Sequence, residues 1–221
     1  MDKTRLFEYL SKQKLPQVLE LLRSAFDEMS TKQRQRVFGE IYDLIPPAAV
    51  QGGKLLQDVR KFYDESIAGK YYAPFNVNSK NFMDIPEETE AWFERLGELL
   101  ESGTIISEQN DHSTAVKCFD LLYALIFKMA DGDEEIVFAD ELGSWMIPVD
   151  EKKAINAYLK SLSLVSSAEE FVKAALPLIG RDSYSSFAKK VYASAMRFAN
   201  KEQKALLLTE IKRQNIRTKP L

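Results

Sequence analysis

One cysteine, Cys118, and one histidine, His112, are the whole supply of thiols and imidazoles in this 221-residue sequence. A lone thiol forms no internal disulfide and no thiolate cluster, which fits a reducing compartment. A lone imidazole excludes ferritin-like di-iron centres, histidine-rich phosphohydrolase sites and zinc-protease spacing, all of which need several. Glycine is sparse, at nine residues, and none stands in phosphate-binding spacing. Gly52-Gly53-Lys54 lacks the upstream strand and the glycine pattern of a nucleotide loop, so it reads as a turn that opens a helix. No Gly-x-Ser-x-Gly elbow offers His112 a nucleophile, and Asp182 followed by Ser183, Tyr184, Ser185 and Ser186 is better explained as a cap with a polar first turn. The longest apolar run, Leu121 to Phe127, is too short to cross a bilayer, and the charged opening Met1-Asp2-Lys3-Thr4-Arg5 has no secretory apolar block behind it. The expectation is a cytoplasmic protein without a membrane or cofactor role. Strands are missing too: Glu135-Ile136-Val137-Phe138 is too short to found a sheet and makes at most a minor ribbon with residues 71–86.

Charge is present in quantity but unevenly placed. Residues 1–80 carry 13 basic and 10 acidic side chains, residues 81–151 carry 3 and 18, and residues 152–221 carry 14 and 5, within an overall formal charge of −3. An acidic middle and a basic end inside a nearly neutral total mark an interaction surface rather than a reaction. The length and the 45% of hydrophobic residues suffice for a core without staples. A single all-helical domain over 1–221 is expected, with sub-units 1–70 and 86–215 joined by the 71–86 loop as the alternative division.

Helical periodicity dominates the chain. A short helix covers 4–12. Pro16 suits the first turn of a second, with Val18, Leu19, Leu22 and Phe26 on its apolar side, and Ser30 or Thr31 caps a third that runs to about Ile45 and stops at Pro46-Pro47. A fourth spans roughly 54–70. After the loop, Asp84 and Pro86 introduce a helix through Leu100 that ends near Gly103, burying Trp92, Phe93, Leu96, Leu99 and Leu100 and exposing Glu87, Glu88, Glu90, Glu94, Glu98 and Glu101. The segment 110–130 is apolar around nearly its whole circumference, its charges Lys117, Asp120 and Lys128 falling on one narrow stripe, so it belongs at the centre with Cys118 as a small buried hydrophobe. Helices near 150–165, 167–179, 182–199 and 201–214 complete the reading. Ser167 with Glu170, and Asn200 with Gln203, are matching helix starts. About nine helices in antiparallel hairpins follow, stacked as an α-α superhelix-like array.

Tyr158 and Tyr192 lie 34 residues apart, as do Leu162 and Met196. In helix length and in this offset, residues 150–214 resemble the tetratricopeptide-like family of α-α superhelical repeat proteins. Tyr158, Tyr192, Ala174 and Ala175 carry the likeness, while the Trp and Leu-Gly positions of the tetratricopeptide signature are missing. The resemblance implies a protein or peptide partner and transfers no individual residue.

Three segments compete for function. Asp131, Asp133, Glu134, Glu135, Asp140 and Glu141 place six carboxylates in eleven residues, a docking patch for a basic partner or, through Asp131, Asp133, Glu135 and Asp140, a divalent-cation site for a metal-dependent hydrolase. It is not an EF-hand, because the turn glycine is absent from the sixth position and Leu142 stands at the twelfth. Tyr71, Tyr72 and Phe75, with Phe82, either close on the core as a lid or line a groove, and Trp145 anchors its loop or flanks a pocket. The basic C-terminal helices offer phosphate contacts, yet the mildly acidic chain has no helix-turn-helix signature, so nucleic acid is disfavoured. The leading expectation is a non-catalytic adaptor whose acidic centre steers a basic protein partner, or meets the basic end of another copy in a homo-oligomer.

Overall fold

The computed structural model describes residues 2–42, 49–132, 135–138, 143–180 and 186–216. Among them the regular elements are ten α-helices and a short 3-10 turn at Ser144–Met146, with no strand. The helices are α1 (Lys3–Leu10), α2 (Leu15–Asp27), α3 (Thr31–Tyr42), α4 (Gly52–Ile67), α5 (Glu87–Glu108), α6 (His112–Ala130), α7 (Glu151–Val165), α8 (Ala168–Gly180), α9 (Ser186–Phe198) and α10 (Lys201–Arg213). The chain divides into two compact units, Met1–Ala48 and Ala49–Leu221.

The first unit is thinly packed. Phe26 meets Phe38 with ring centroids 5.5 Å apart, and Arg34 lies over Phe26 while its Nε donates to the Phe26 carbonyl at 3.0 Å. Neither α1 nor α2 has a buried residue, and Leu19, Leu22, Phe26, Val37 and Ile41 from the apolar sides of α2 and α3 stay exposed.

The second unit is built on α6, which packs against α4, α5 and α7. Ala115, Cys118, Phe119, Leu122 and Leu125 are completely covered, as an all-round apolar helix requires. Each fully buried Leu or Phe contributes roughly 1.5–3 kcal/mol, so this helix holds more of the fold than any exposed amphipath. Its start is fixed by Asp111, whose side chain accepts from the Thr114 amide at 3.2 Å. Asp150 caps α7 in the same way through the Lys153 amide at 3.0 Å.

Two helix starts are reciprocal capping boxes. The Ser167 amide donates to Glu170 and the Glu170 amide to Ser167, and Asn200 and Gln203 repeat the exchange. The buried Gln203 also donates from Nε2 to the carbonyls of Ser163 and Ser166, tying the start of α10 to the end of α7. In this half α7 packs on α8 and α9, and α8 on α9 and α10.

One expected boundary is corrected. The helix expected to end near Gly103 runs on to Glu108, and Gly103 is buried inside it. A Cβ there would stand 3.2 Å from Cζ of Phe119, so this glycine serves the close crossing of α5 and α6 rather than a helix end. The start expected at residue 182 falls in 181–185, outside the described residues, and α9 is described from Ser186.

Candidate functional site

Helix α5 carries its glutamates on a regular face. Glu87, Glu90, Glu94, Glu98, Glu101 and Glu108 recur at spacings of three, four and seven residues, which places them in one stripe. All are exposed except the half-buried Glu94. The opposite face holds Trp92, Phe93, Leu96 and Leu100 in the core, and it is this burial that turns the carboxylates outward. Along the stripe Arg95 pairs with Glu98 at 2.8 Å and Lys153 with Glu108 at 3.4 Å, both surface pairs that leave the face predominantly negative.

Next to this stripe the chain leaving the 3-10 turn crosses α5. Gly97 makes the crossing close: a Cβ at that position would lie 3.0 Å from Cγ and Cδ of Pro148. Ile147 is buried and Val149 half-buried, whereas Trp145 keeps 74% of its surface exposed. Together with Leu100 and Ile126 they surround a cavity of about 100 Å³, to which Tyr123 and Glu151 also contribute.

Tyr123 is the one odd side chain in this wall. Its ring is only 4% exposed, stacked 5.3 Å from Tyr158 and flanked by Phe119 and Phe127. Its hydroxyl is buried and has no hydrogen-bond partner. Burial pushes this phenol well above its usual range, and the negative charge of Glu151 adds to the shift, so the group stays protonated and available as a donor. The neighbouring Tyr158 is satisfied instead: its hydroxyl donates to Asp120, whose carboxyl is raised by burial and held down in part by that same bond. Asp120, read from the sequence as one of three charges on a single stripe, thus ties α6 to α7.

The aromatic loop packs against its own neighbourhood. Tyr71 meets Phe62 edge-on at 5.6 Å, and its hydroxyl donates to Glu65 at 3.3 Å, beside a 2.9 Å pair between Lys70 and Glu65. The Lys70 hydrogen bond is the main reason that Glu65 titrates below the usual carboxylate range. Tyr72 and Phe75 both pack on Phe138, at 6.2 and 5.3 Å. Phe138 is held in turn by the Thr89 hydroxyl, which donates to its carbonyl at 2.8 Å. Gly69, at φ +74°, turns the chain so closely past this segment that a Cβ would sit 3.3 Å from the Glu135 carbonyl. The loop and residues 135–138 therefore associate without pairing as strands. Val77, Phe82 and Met83 remain exposed beyond them.

Of the acidic cluster, Asp131 and Glu135 are described, both exposed, with Asp131 as the C-cap of α6. Asp133, Glu134, Asp140 and Glu141 lie outside the described residues. Among the described residues no three His, Cys, Asp or Glu side chains converge as a metal site. His112 is half-buried at the start of α6, with Nδ1 3.1 Å from the Ser161 hydroxyl, itself 2.8 Å from that of Ser107. Both serines are sealed in the core, so this chain of hydroxyls joins α5, α6 and α7 and offers no accessible nucleophile. Burial, then the Lys160 charge, lowers the His112 pKa, and Asp111 opposes them. Cys118 is fully covered and its thiol is pushed up to about 11 by burial, the reverse of a reactive cysteine.

The sequence offered a pocket beside Trp145 as one of two readings, and the structure places a cavity there whose other walls the sequence did not name. In the apolar run 121–127 the Tyr123 hydroxyl is the one polar side-chain group, a signal that the periodicity of the central helix does not register. Among the described residues no helix is long and apolar enough to cross a membrane. No family model matches the chain, and no curated protein or solved structure matches it either.

Proposed function

We propose that this protein is a non-catalytic interaction module that recognises a basic protein or peptide segment on the outer face of α5, with Trp145 as the apolar anchor. The observation that carries the reading is the adjacency of a continuous carboxylate stripe to an exposed indole at the 145–149 crossing. Exposed negative charge steers encounter and selects the sign of the partner, while a large aromatic side chain supplies contact area at little conformational cost. A Trp with most of its surface in water is stabilised by covering it. The exposed Lys201, Lys212 and Arg213 give the last helix, α10, the complementary sign. In the C-terminal half α7 packs on α9 and α8 on α10, and a tetratricopeptide-like stack, if that is what these helices form, is a class suited to peptide partners.

The test is affinity capture from cell extract with the full chain, wild type and the pair Glu98→Lys with Glu101→Lys, at about 0.1 M and about 1 M salt, where the screening length falls from about 10 to about 3 Å. These two glutamates lie beyond the first turn of α5, so their reversal spares the helix dipole. The reading expects a partner held at low salt, released at high salt and lost on reversal. A partner that binds the reversed protein equally well contradicts it.

A further inference from the structure

Helix α2 carries an apolar stripe that the α5 reading does not use. Leu15, Leu19, Leu22 and Phe26 recur at intervals of four, three and four residues, the repeat with which one helix lies along another. These side chains keep between 40 and 69% of their surface exposed, and no residue of α2 is buried. A helix of 13 residues is marginal in water on its own, so α2 requires a cover over this face. At the end of the stripe Phe26 meets Phe38 of α3, and that contact brings in Val37 and Ile41, both exposed and neighbours of Phe38 on its helix. The six exposed side chains, Phe38 aside, leave on the order of 500 Å² in water, which matches the apolar share, about two thirds, of the roughly 800 Å² that each partner contributes to a standard interface.

Charge decides what this face accepts. No residue of the stripe is charged, Val18 and Ala25 flank it half-buried on one side, and Arg23 on the other side pairs with Glu20 at 3.4 Å. The face therefore selects neither sign of partner, and two copies laid together along it bury no charge. In the second unit the exposed large apolar side chains are spread over α4, the aromatic loop, the 3-10 turn, α7 and α10, so among the described residues no second stripe of this length stands on one helix. What matches α2 in spacing, length and neutrality is α2 of another copy.

We propose that α2 is a dimerisation helix: two copies of this chain pair through Leu15, Leu19, Leu22 and Phe26 about a two-fold axis, with Val37 and Ile41 of α3 completing the covered face. Because the same patch meets itself, association closes at two copies. The dimer is independent of the partner surface on α5.

Sedimentation velocity of the full chain, from about 1 to about 100 µM, brackets the affinity of a modest interface. The proposal expects a dimer whose fraction rises over this range and which persists at about 1 M salt, where exposed charges are screened. Leu19→Glu combined with Leu22→Glu exchanges one good helix former for another and should weaken association at least about a hundredfold, leaving a monomer of unchanged helix content by circular dichroism. Leu21→Glu is the control, since Leu21 is as exposed as its neighbours but lies about 100° or more around the helix from Leu19 and Leu22, and the dimer should survive it. A wild-type monomer at every concentration overturns the proposal, because the stripe then serves the second unit or a different protein. A dimer that survives the double substitution overturns it too, as does one lost equally in Leu21→Glu. A dimer dissolved by salt also contradicts it and assigns association to the acidic centre of one copy meeting the basic end of another.

Discussion

Replacing Tyr123 with Phe should make the protein more stable, the opposite of the usual result for a core substitution. The ring packs between Phe119, Phe127 and Tyr158, and Phe keeps every one of those contacts. Only the hydroxyl is lost, and in the folded chain that hydroxyl bonds to nothing. In the unfolded chain it is hydrated. Folding therefore strips water from a polar group without replacement, a cost of about 1–3 kcal/mol. Tyr123→Phe should recover about 1 kcal/mol or more, equivalent to roughly 2–4 °C in Tm for each kcal/mol in a unit of this size. The assay is urea unfolding of the full chain followed by tryptophan fluorescence in a Trp145→Phe background. That leaves Trp92, fully buried and hydrogen-bonded to Ser66 at 2.9 Å, as the sole reporter of the second unit. The midpoint should rise with an unchanged slope. A loss of about 1 kcal/mol or more would show that the hydroxyl has a partner in solution and refute the reasoning.

Three further outcomes follow from the packing. Ser66→Ala strands the Trp92 indole N–H in the core and should cost about 1–3 kcal/mol in the same urea assay, without altering partner capture. Gly97→Ala gains about 1 kcal/mol of helix propensity but drives a Cβ against the rigid Pro148 ring at 3.0 Å. Overpacking of this kind costs about 1–3 kcal/mol, so the clash should win and the urea midpoint should fall. His112 should make stability depend on pH: its folded pKa lies below the ordinary 6.5, so below about pH 6.5 the unfolded chain takes the proton first and stability declines as pH falls. Urea midpoints between about pH 7.5 and 5 should drop more steeply for wild type than for His112→Asn, and parallel slopes would contradict the assignment.

Much of this architecture was legible from spacing alone, and its failures have physical causes. The segment 110–130 announced its central place because no arrangement of its apolar residues fits a half-exposed helix, and the structure seals Cys118 within it. The reciprocal caps at Ser167 and Asn200 are local exchanges between residues three apart, so the sequence contains both partners. Gly103 misled because a glycine that ends a helix and one that admits a neighbouring ring look alike until Phe119 is placed against it. The other walls of the cavity beside Trp145 were invisible for the same reason: Leu100, Tyr123 and Trp145 belong to three elements, and nothing local relates them. The bond from Tyr158 to Asp120 and the link from His112 through Ser161 to Ser107 span 38 to 54 residues of chain, beyond the reach of any periodicity.

Assigning function to the outer faces of the second unit requires that α6 be closed to solvent along its middle turns. Cys118 reports on this directly, as the only thiol in the chain and one with no exposed surface. Labelling of the native protein with a chromogenic disulfide reagent is the decisive measurement. The account predicts a rate that tracks global unfolding, rising with urea in step with the Trp92 transition. Rapid stoichiometric labelling in the absence of denaturant would place α6 at the surface and contradict it.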